Sequence, residues 1–344
     1  MSKKPTDFAF AISKYLASYL PGVKGVSHNT IMSYRDTLSL FLTYCSEVLH
    51  LMPERLTLKD ISSQTVENFL AWLEESRHSS VSTRNQRLTA LRAFFRYIQM
   101  VNPEHMLLSQ QIIAIPSKKA CERVMNYLSI DELMLLLSMP DTKSKQGRRN
   151  LVLLSLLYDS GARVQEIADT TFVDVRTESP ATIRLVGKGN KVRIVPLSTD
   201  TATLLRAYME DLLRTEHVPS SRPLFCNHIG QKMSRAGIAY ILNRYVDMVK
   251  QTSASTINDV ISPHCLRHSK AMHLLQSGVN IVYIRDLLGH ASLRTTEKYA
   301  RAESEQKRKA LEAASPIKSV QKFPLWTEND NLMSWLQSFG KASN

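Results

Sequence analysis

The sequence has few cysteines and none of the pairs that usually carry cysteine chemistry. Its four cysteines, Cys45, Cys121, Cys226 and Cys265, are isolated from one another along 344 residues. Without a C-x-x-C pair, the usual signatures of a zinc ribbon or a redox dithiol are excluded. Four scattered thiols also make no disulfide framework, so we expect free, buried thiols in an intracellular protein.

Long apolar runs, internal repeats and low-complexity segments are also absent. The apolar stretch near the N-terminus is interrupted by Asp7, Ser13 and Lys14 at helical intervals, which indicates neither a signal peptide nor a membrane span. The string GKGNK lacks the G-x-x-x-x-G-K-[ST] spacing of a nucleotide-binding loop. We therefore expect a globular protein with no membrane association and no bound nucleotide.

Histidines are present without the partners that would make a metal site. His264, His268, His273 and His290 have no carboxylate or cysteine at metal-ligand spacing. We therefore predict no metal and no cofactor.

Acidic residues are too few to balance the basic ones. The chain has 44 Lys and Arg against 31 Asp and Glu, a formal net charge of +13 and a pI of about 9.6. The excess is divided between 1–123, with 15 basic and 10 acidic residues, and 124–314, with 26 and 19. A charge of this size favours a polyanionic partner such as nucleic acid. Its distribution fits two DNA-facing domains better than one.

The first hundred residues have the apolar periodicity of a helical bundle. We predict a helical domain over 1–102, with Ser27 capping a helix in NTIMSYRDTLSLFLTYC. In STRNQRLTALRAFFRYIQ, a buried stripe leaves three arginines towards its margins, where they are either a solvated helix face or phosphate contacts. These arginines are Arg84, Arg92 and Arg96.

A second domain is predicted to follow a linker. Residues 103–123 lack clear periodicity and include Lys118 and Lys119, which we expect to lie against a polyanion. Ser129 and Glu132 form a capping-box pattern that indicates the start of a helix and of a domain over 124–314. This domain is predicted to be mostly helical.

One hairpin and a tail complete the predicted architecture. ATIRLVGKGNKVRIVPLS reads as two strands around a glycine-rich, basic tip. In the tail, 315–344, a short helix would carry an apolar stripe that must dock in cis or in trans, because so short a helix is marginal alone. Its docking residues are Trp335, Leu336 and Phe339.

Several charged groups have the spacing of an anion-binding site. His264 and Arg267 lie on one face at the start of a predicted helix after Pro263. Arg163 is followed three residues later by Glu166, which can hold its guanidinium from behind. Two guanidinium groups can stabilise the charge that grows on a phosphorane in a transition state.

In this order, the motifs resemble those of the tyrosine recombinases of the phage integrase and Xer class. The resemblance covers nearly the whole chain and is strongest over 151–305, in DSGARVQEI, VGKGNKVRIVPLS, SPHCLRHSKAMHLLQSG and IRDLLGHASLRTTEKYA. It implies a two-domain DNA clamp, mainly α with a small β-sheet. A helical core-binding, SAM-like domain would precede an α+β catalytic domain.

The resemblance also implies a role for each motif residue. Tyr299 would attack a backbone phosphate to give a 3′-phosphotyrosine, with His264 as the favoured base. Lys188 would protonate the leaving 5′-oxygen, with Lys191 and Arg193 as rivals for that role and as DNA contacts. The remaining residues would bind or orient the phosphate: Arg163, Arg267, His290 and, behind Arg163, Glu166.

The implied function is site-specific recombination in the cytoplasm, in association with the nucleoid. Two protomers would bind a double-stranded core site with inverted repeats, and a tetramer would exchange strands through a Holliday junction, with or without accessory proteins. The motifs fit chromosome-dimer resolution, phage integration, integron exchange and transposition alike, and the tail slightly favours a mobile-element enzyme. Two alternatives stay open at this point: relaxation of DNA by a type IB topoisomerase, and a non-catalytic DNA-binding architectural factor.

Overall fold

The chain forms two compact units. The computed structural model describes residues 5–119, 125–215, 219, 221–252, 257, 261–290, 292, 296–297, 299 and 332–338. Residues 1–123 make up one unit and residues 124–344 the other. Each has its own apolar core.

All regular secondary structure in the described part of the first unit is helical. Side chains of Thr6, Ser62 and Ser80 each accept the backbone N–H three residues on, which satisfies donors that a helix start leaves free. Tyr15–Val23 continues the first helix with π-helical hydrogen bonding. The α-helices among residues 5–119 are α1 (Asp7–Lys14), α2 (His28–Glu47), α3 (Ser63–Glu75), α4 (Val81–Val101) and α5 (Met106–Ala114).

Aromatic side chains fill the centre of this unit. Phe8 meets Phe94 edge-on, with ring centroids 5.7 Å apart, and Phe41 meets Phe69 in the same way at 5.3 Å. Such edge-to-face pairs stabilise beyond the area they bury. Helix α2 begins after Ser27 as predicted, although the Ser27 side chain makes no capping hydrogen bond to the backbone. The buried stripe of α4 is confirmed, and both helices support the prediction of an all-helical N-terminal unit.

Residues 103–123, predicted as a linker from their lack of clear periodicity, include a helix. Helix α5 occupies Met106–Ala114 and packs on α4, with Ser109 and Ile112 buried against it. Only one side of the helix is covered, because Met106 and Leu107 are exposed. Apolar residues therefore lie on both the buried and the exposed side of α5, and the sequence shows no clear helical period. The domain boundaries stay a prediction.

The second unit is also mainly helical. The capping box predicted at its start is confirmed, because Ser129 accepts the N–H of Glu132 while the Glu132 carboxylate accepts the N–H of Ser129. Its described helices are α6 (Ile130–Ser138), α7 (Lys145–Asp159), α8 (Val164–Asp169), α9 (Thr199–Thr215), α10 (Arg235–Lys250), α11 (Pro263–Gln276), α12 (Ile281–Leu288) and α13 (Leu332–Ser338).

A small antiparallel sheet lies in this unit, in the order β1-β2-β3. The predicted hairpin is confirmed as β2 (Thr182–Val186) and β3 (Val192–Pro196), paired from Thr182↔Pro196 to Val186↔Val192. Strand β1 (Val175–Arg176) adds two residues that the sequence did not predict. One face of the hairpin packs on the core through Ile183, Leu185 and Val195.

Candidate active site

Arg163 and Glu166 meet at the start of α8. Gly161 makes the turn after α7 with a φ of +56°, and a Cβ there would lie 2.8 Å from Leu288 Cδ2, so the turn favours glycine. Arg163 donates its backbone N–H to Glu166 Oε2 and its Nη1 to Oε1, both at 2.8 Å. The guanidinium, about one-third exposed, is thereby fixed beside a buried carboxylate.

Arg267 lies deeper in the same site. Its side chain, on α11, is 3% exposed and donates to the carbonyl oxygens of Gly161 and Leu288, both at 2.7 Å. The second contact places a cation at the C-terminal end of α12, where the helix dipole favours positive charge. Burial, and then the neighbouring Arg163, lower the pKa of Arg267 to about 10. It stays charged at neutral pH.

His290 follows α12 directly. Gly289 ends that helix in the left-handed conformation, with a φ of +65°, which glycine adopts at many helix C-termini. The Nδ1 atom of His290 lies 2.9 Å from Thr296 Oγ1. Burial, and then the charges of Arg267 and Arg163, lower the pKa of His290 to about 4. The ring is therefore neutral at pH 7 and can donate a hydrogen bond without adding charge.

The Tyr299 hydroxyl is held inside this site. The residue is 2% exposed, and its ring lies parallel to that of His290 with centroids 6.4 Å apart. Burial raises the pKa of Tyr299, and the nearby Arg267 opposes this in part. The phenol is thus protonated in the free protein and must lose its proton before it can attack.

Sequence reasoning missed the ring that contacts this phenol. The Nδ1 atom of His268 lies 2.9 Å from the Tyr299 hydroxyl, whereas the predicted base, His264, lies one helical turn earlier with an exposed ring. The rings of His264 and His268 stack with centroids 6.4 Å apart. Their four-residue spacing on α11, which places both on one face, was the available signal.

The hairpin tip lies against the Arg163–Glu166 pair. A Cβ on Gly187 would lie 3.2 Å from Glu166 Oε1 and 3.7 Å from Arg163 Nη1, so this glycine permits a close approach. Lys188 begins the turn that follows, and its side chain lies outside the described part of the structure. Lys191 is exposed.

The Arg193 side chain is mostly buried and is hydrogen-bonded to other residues of the same unit. Its guanidinium donates to Glu166 and to the carbonyl oxygen of Leu287, and only 12% of the side chain is exposed. This geometry favours neither a phosphate contact nor a proton donor at the tip.

The basic residues predicted to contact DNA in the first unit differ in exposure. Arg84 is buried and donates to the carbonyl oxygen of Pro116. Arg92 donates to the carbonyl oxygen of Ile115 and to Ser117 Oγ. These two arginines therefore fasten α4 to the segment after α5. The other three, Arg96, Lys118 and Lys119, are exposed, with Lys118 bonded to Glu74 at 2.6 Å.

The predicted docking residues of the tail are only partly described. Leu336 is half exposed on α13. The side chain of Trp335 and the whole of Phe339 lie outside the described residues.

The described parts of the chain show no group of three or more His, Cys, Asp or Glu residues able to hold a metal ion. None of the described helices combines the length and the apolarity needed to cross a bilayer. The described part of the site combines two fixed guanidinium groups, the neutral imidazole of His290 and a buried phenol. Together they can bind a phosphodiester and attack it.

Comparisons with known proteins match both units. The model of the phage integrase family matches residues 126–306, and that of the phage integrase N-terminal SAM-like domain matches residues 12–99. The predicted integrase/recombinase y4rC of Sinorhizobium fredii is 33% identical over 338 residues, covering 97% of this chain and 99% of the relative. The tyrosine recombinase XerC of Myxococcus xanthus is 30% identical over 317 residues, covering 90% and 99%.

Solved structures share the fold. The XerH recombinase bound to a palindromic difH substrate has a TM-score of 0.64 at 23% identity, covering 89% of this chain and 85% of that one. The Tn1549 transposon integrase bound to transposon right-end DNA has a TM-score of 0.67 at 16% identity, covering 88% and 99%. The mainly helical fold with a small sheet is confirmed, and the matches support recombination over the topoisomerase-like and architectural alternatives. The chain belongs to the phage integrase family, the tyrosine recombinases, which cleave and rejoin DNA by transesterification through a tyrosine.

Proposed function

We propose that this chain is a site-specific recombinase whose nucleophile is Tyr299. The phenolate oxygen attacks a backbone phosphate, the bond from phosphorus to the 5′-oxygen breaks, and a 3′-phosphotyrosine and a 5′-hydroxyl result. Attack by the 5′-hydroxyl of another strand reverses these steps and restores a phosphodiester. Because the phosphotyrosine stores the bond energy, no metal or nucleotide cofactor is needed.

The observation that carries the proposal is the buried hydroxyl of Tyr299, 2.9 Å from His268 and next to the charge of Arg267. Arg163 and Arg267 would bind the nonbridging oxygens of the phosphate, and neutral His290 would donate a further hydrogen bond. Both the phenol and Arg267 must be uncovered before they meet the phosphate, since only 2% of Tyr299 and 3% of Arg267 are exposed.

His268 is our preferred acceptor for the phenol proton. Its ring is within hydrogen-bond reach of the hydroxyl, which is the first requirement for a general base. His264, exposed one turn earlier, is the alternative. Alanine in place of His268 should slow cleavage and move the pH dependence of its rate, whereas equal rates and an unchanged pH profile would assign the proton to His264.

Lys188 would protonate the leaving 5′-oxygen, because an alkoxide departs poorly without a proton. Lys191, exposed next to the same turn, is the alternative donor. Arg96, Lys118 and Lys119 would contact the DNA backbone from the first unit, consistent with its net positive charge.

The substrate would be a double-stranded core site with inverted repeats. Structural neighbours include a lambda integrase dimer bound to a core site and XerH bound to a palindromic substrate. We propose that two protomers of this chain occupy one site, that four synapse two sites, and that strands exchange in pairs through a Holliday junction. The protein would act in the cytoplasm, at the nucleoid.

The tail would link neighbouring protomers. We propose that Trp335, Leu336 and Phe339 dock in trans, since the half-exposed Leu336 is apolar. A chain ending at residue 324 should bind a single site normally and form fewer synapses. Unchanged recombination by this shortened chain would refute docking in trans.

A nicked suicide substrate tests the nucleophile. A core-site duplex is first selected by binding from a library of randomised inverted repeats, and a nick near the cleavage position then traps the covalent product. Wild type should form an adduct that denaturing electrophoresis resolves, and Tyr299→Phe should form none. Tyr283→Phe is the matched control, because Tyr283 is 71% exposed on α12 in the same unit. An adduct with Tyr299→Phe would refute the assignment.

A further inference from the structure

Arg193 joins the β2–β3 hairpin to two other parts of the site. It lies on β3 opposite Leu185, with its side chain turned into the protein. Its Nη1 and Nη2 donate to the two carboxylate oxygens of Glu166, at 3.0 and 2.6 Å, and its Nε donates to the Leu287 carbonyl oxygen at 3.0 Å. This bidentate geometry fixes both the distance and the angle between the groups.

Glu166 is shared between two arginines. Arg163 also donates to both of its carboxylate oxygens, through its backbone N–H and its Nη1. Burial of the carboxylate acts to raise the pKa of Glu166, but the hydrogen bonds from Arg193 and Arg163 together lower it. Glu166 is therefore ionised, and it cannot move without breaking contacts to both arginines.

Two glycines bring backbone segments against this group. Gly187, directly before Lys188, lies against the Glu166 carboxylate. Gly289, directly before His290, lies so close to Arg193 that a Cβ would be 3.0 Å from its Cδ. The hairpin, the start of α8 and the end of α12 thus meet around a single guanidinium.

We propose that Arg193 is a positioning residue that holds the hairpin, and with it Lys188, in register with Arg163 at the scissile phosphate. This inference rests on the proposed function, in which Lys188 protonates the leaving oxygen. Arg193 acts through Glu166 and the hairpin backbone, because its nitrogens are occupied by protein oxygens. A displacement of about 1 Å at a reacting group can cost about 100-fold in rate.

Two forms of the nicked core-site substrate separate positioning of the acid from phosphate binding. One has the ordinary 5′-oxygen at the scissile phosphate. The other has sulfur there, which departs as a thiolate and needs no proton donor, since a thiol is far more acidic than an alcohol. Arg193→Gln should form the covalent adduct about 100-fold more slowly than wild type with the oxygen substrate. With the sulfur substrate it should come within about 5-fold.

Arg184→Gln is the matched control. Arg184 lies on the neighbouring strand β2 and pairs with Asp174 at 2.5 Å, so its loss removes the same charge from the same hairpin. It should cleave both substrates at the wild-type rate. Arg193→Lys keeps the charge without the bidentate fork and should be intermediate with the oxygen substrate.

Equal defects of Arg193→Gln with the two substrates, or none with either, would overturn the proposal. Lys188→Ala tests the underlying function separately: if sulfur does not rescue it, the acid assignment fails whatever Arg193 does. Thermal unfolding and DNA binding of each variant are measured in parallel. Should Arg193→Gln lose its cooperative unfolding transition, Arg193→Lys provides the same oxygen-to-sulfur comparison.

Discussion

Replacing Glu166 by glutamine should strongly destabilise the second unit, although the two side chains are nearly the same size. The carboxylate is 3% exposed at its side chain and accepts four hydrogen bonds from Arg163 and Arg193. An amide removes the negative charge and turns N–H donors towards a guanidinium. Breaking a buried ion pair in this way costs about 3–5 kcal/mol.

We expect the lower end of that range. Arg163 is about one-third exposed, so water can solvate its guanidinium once the carboxylate is gone, whereas Arg193 is more deeply buried. A loss of about 3 kcal/mol in a unit of this size lowers the melting temperature by about 6–12 °C. Thermal unfolding followed by circular dichroism at pH 7 measures it.

The same variant has a defined pH dependence. The pKa of Glu166 is lowered in the folded state, so its contribution to stability is fully present above the ordinary value of 4.5 and is lost as the pH falls below it. The gap between wild type and Glu166→Gln should therefore be constant near neutrality and shrink in acid.

Glu178→Gln is the control for this prediction. Glu178 is 73% exposed at its side chain and lies 4.0 Å from the Arg176 Nε, so the same chemical change there should stay within about 0.5 kcal/mol of wild type. A melting temperature of Glu166→Gln within about 2 °C of wild type at pH 7 would refute the reasoning.

Three further predictions concern other parts of the two units. Gly289→Ala should lower the free energy of unfolding more than Gly278→Ala, as measured by chemical denaturation. Both glycines have a positive φ, so each substitution costs about 1–2 kcal/mol in backbone strain. Of the two, only Gly289 would also bring its new Cβ against a neighbouring side chain. The pKa of His290 is lowered to about 4 in the folded protein, so as the pH drops the unfolded chain binds a proton first, and stability falls between about pH 6.5 and 4. His290→Asn should make this fall in stability with pH less steep. An unchanged dependence of stability on pH would contradict a lowered pKa for His290. Arg84→Gln should destabilise the first unit by about 1–3 kcal/mol and leave the salt dependence of DNA binding unchanged. Arg96→Gln should instead leave the stability of the first unit unchanged and lower the slope of log affinity for DNA against log salt concentration by about 1.

The helices and their starts follow from local spacing in the sequence. Ser129 and Glu132 are three residues apart, so their reciprocal hydrogen bonds form within one turn and need no tertiary partner. The hairpin is equally local, since its strands are joined by a short glycine-containing turn. The sequence did not predict helix α5, because apolar residues such as Met106 and Leu107 also lie on its exposed side and hide the helical period. It did not predict β1, because two residues are too few to show alternation.

What the sequence by itself determined is the order of the motifs, the pairing of Arg163 with Glu166 three residues on, and hence the chemistry that the chain resembles. Only the tertiary structure decided which groups the other charged side chains meet. Arg193 finds Glu166 across 27 residues and Leu287 across 94, and His268 finds Tyr299 across 31. No local spacing encodes such contacts, because they depend on how separate helices and the hairpin pack around one core. A guanidinium that looked like a DNA ligand in the sequence is, for this reason, bonded within the folded protein.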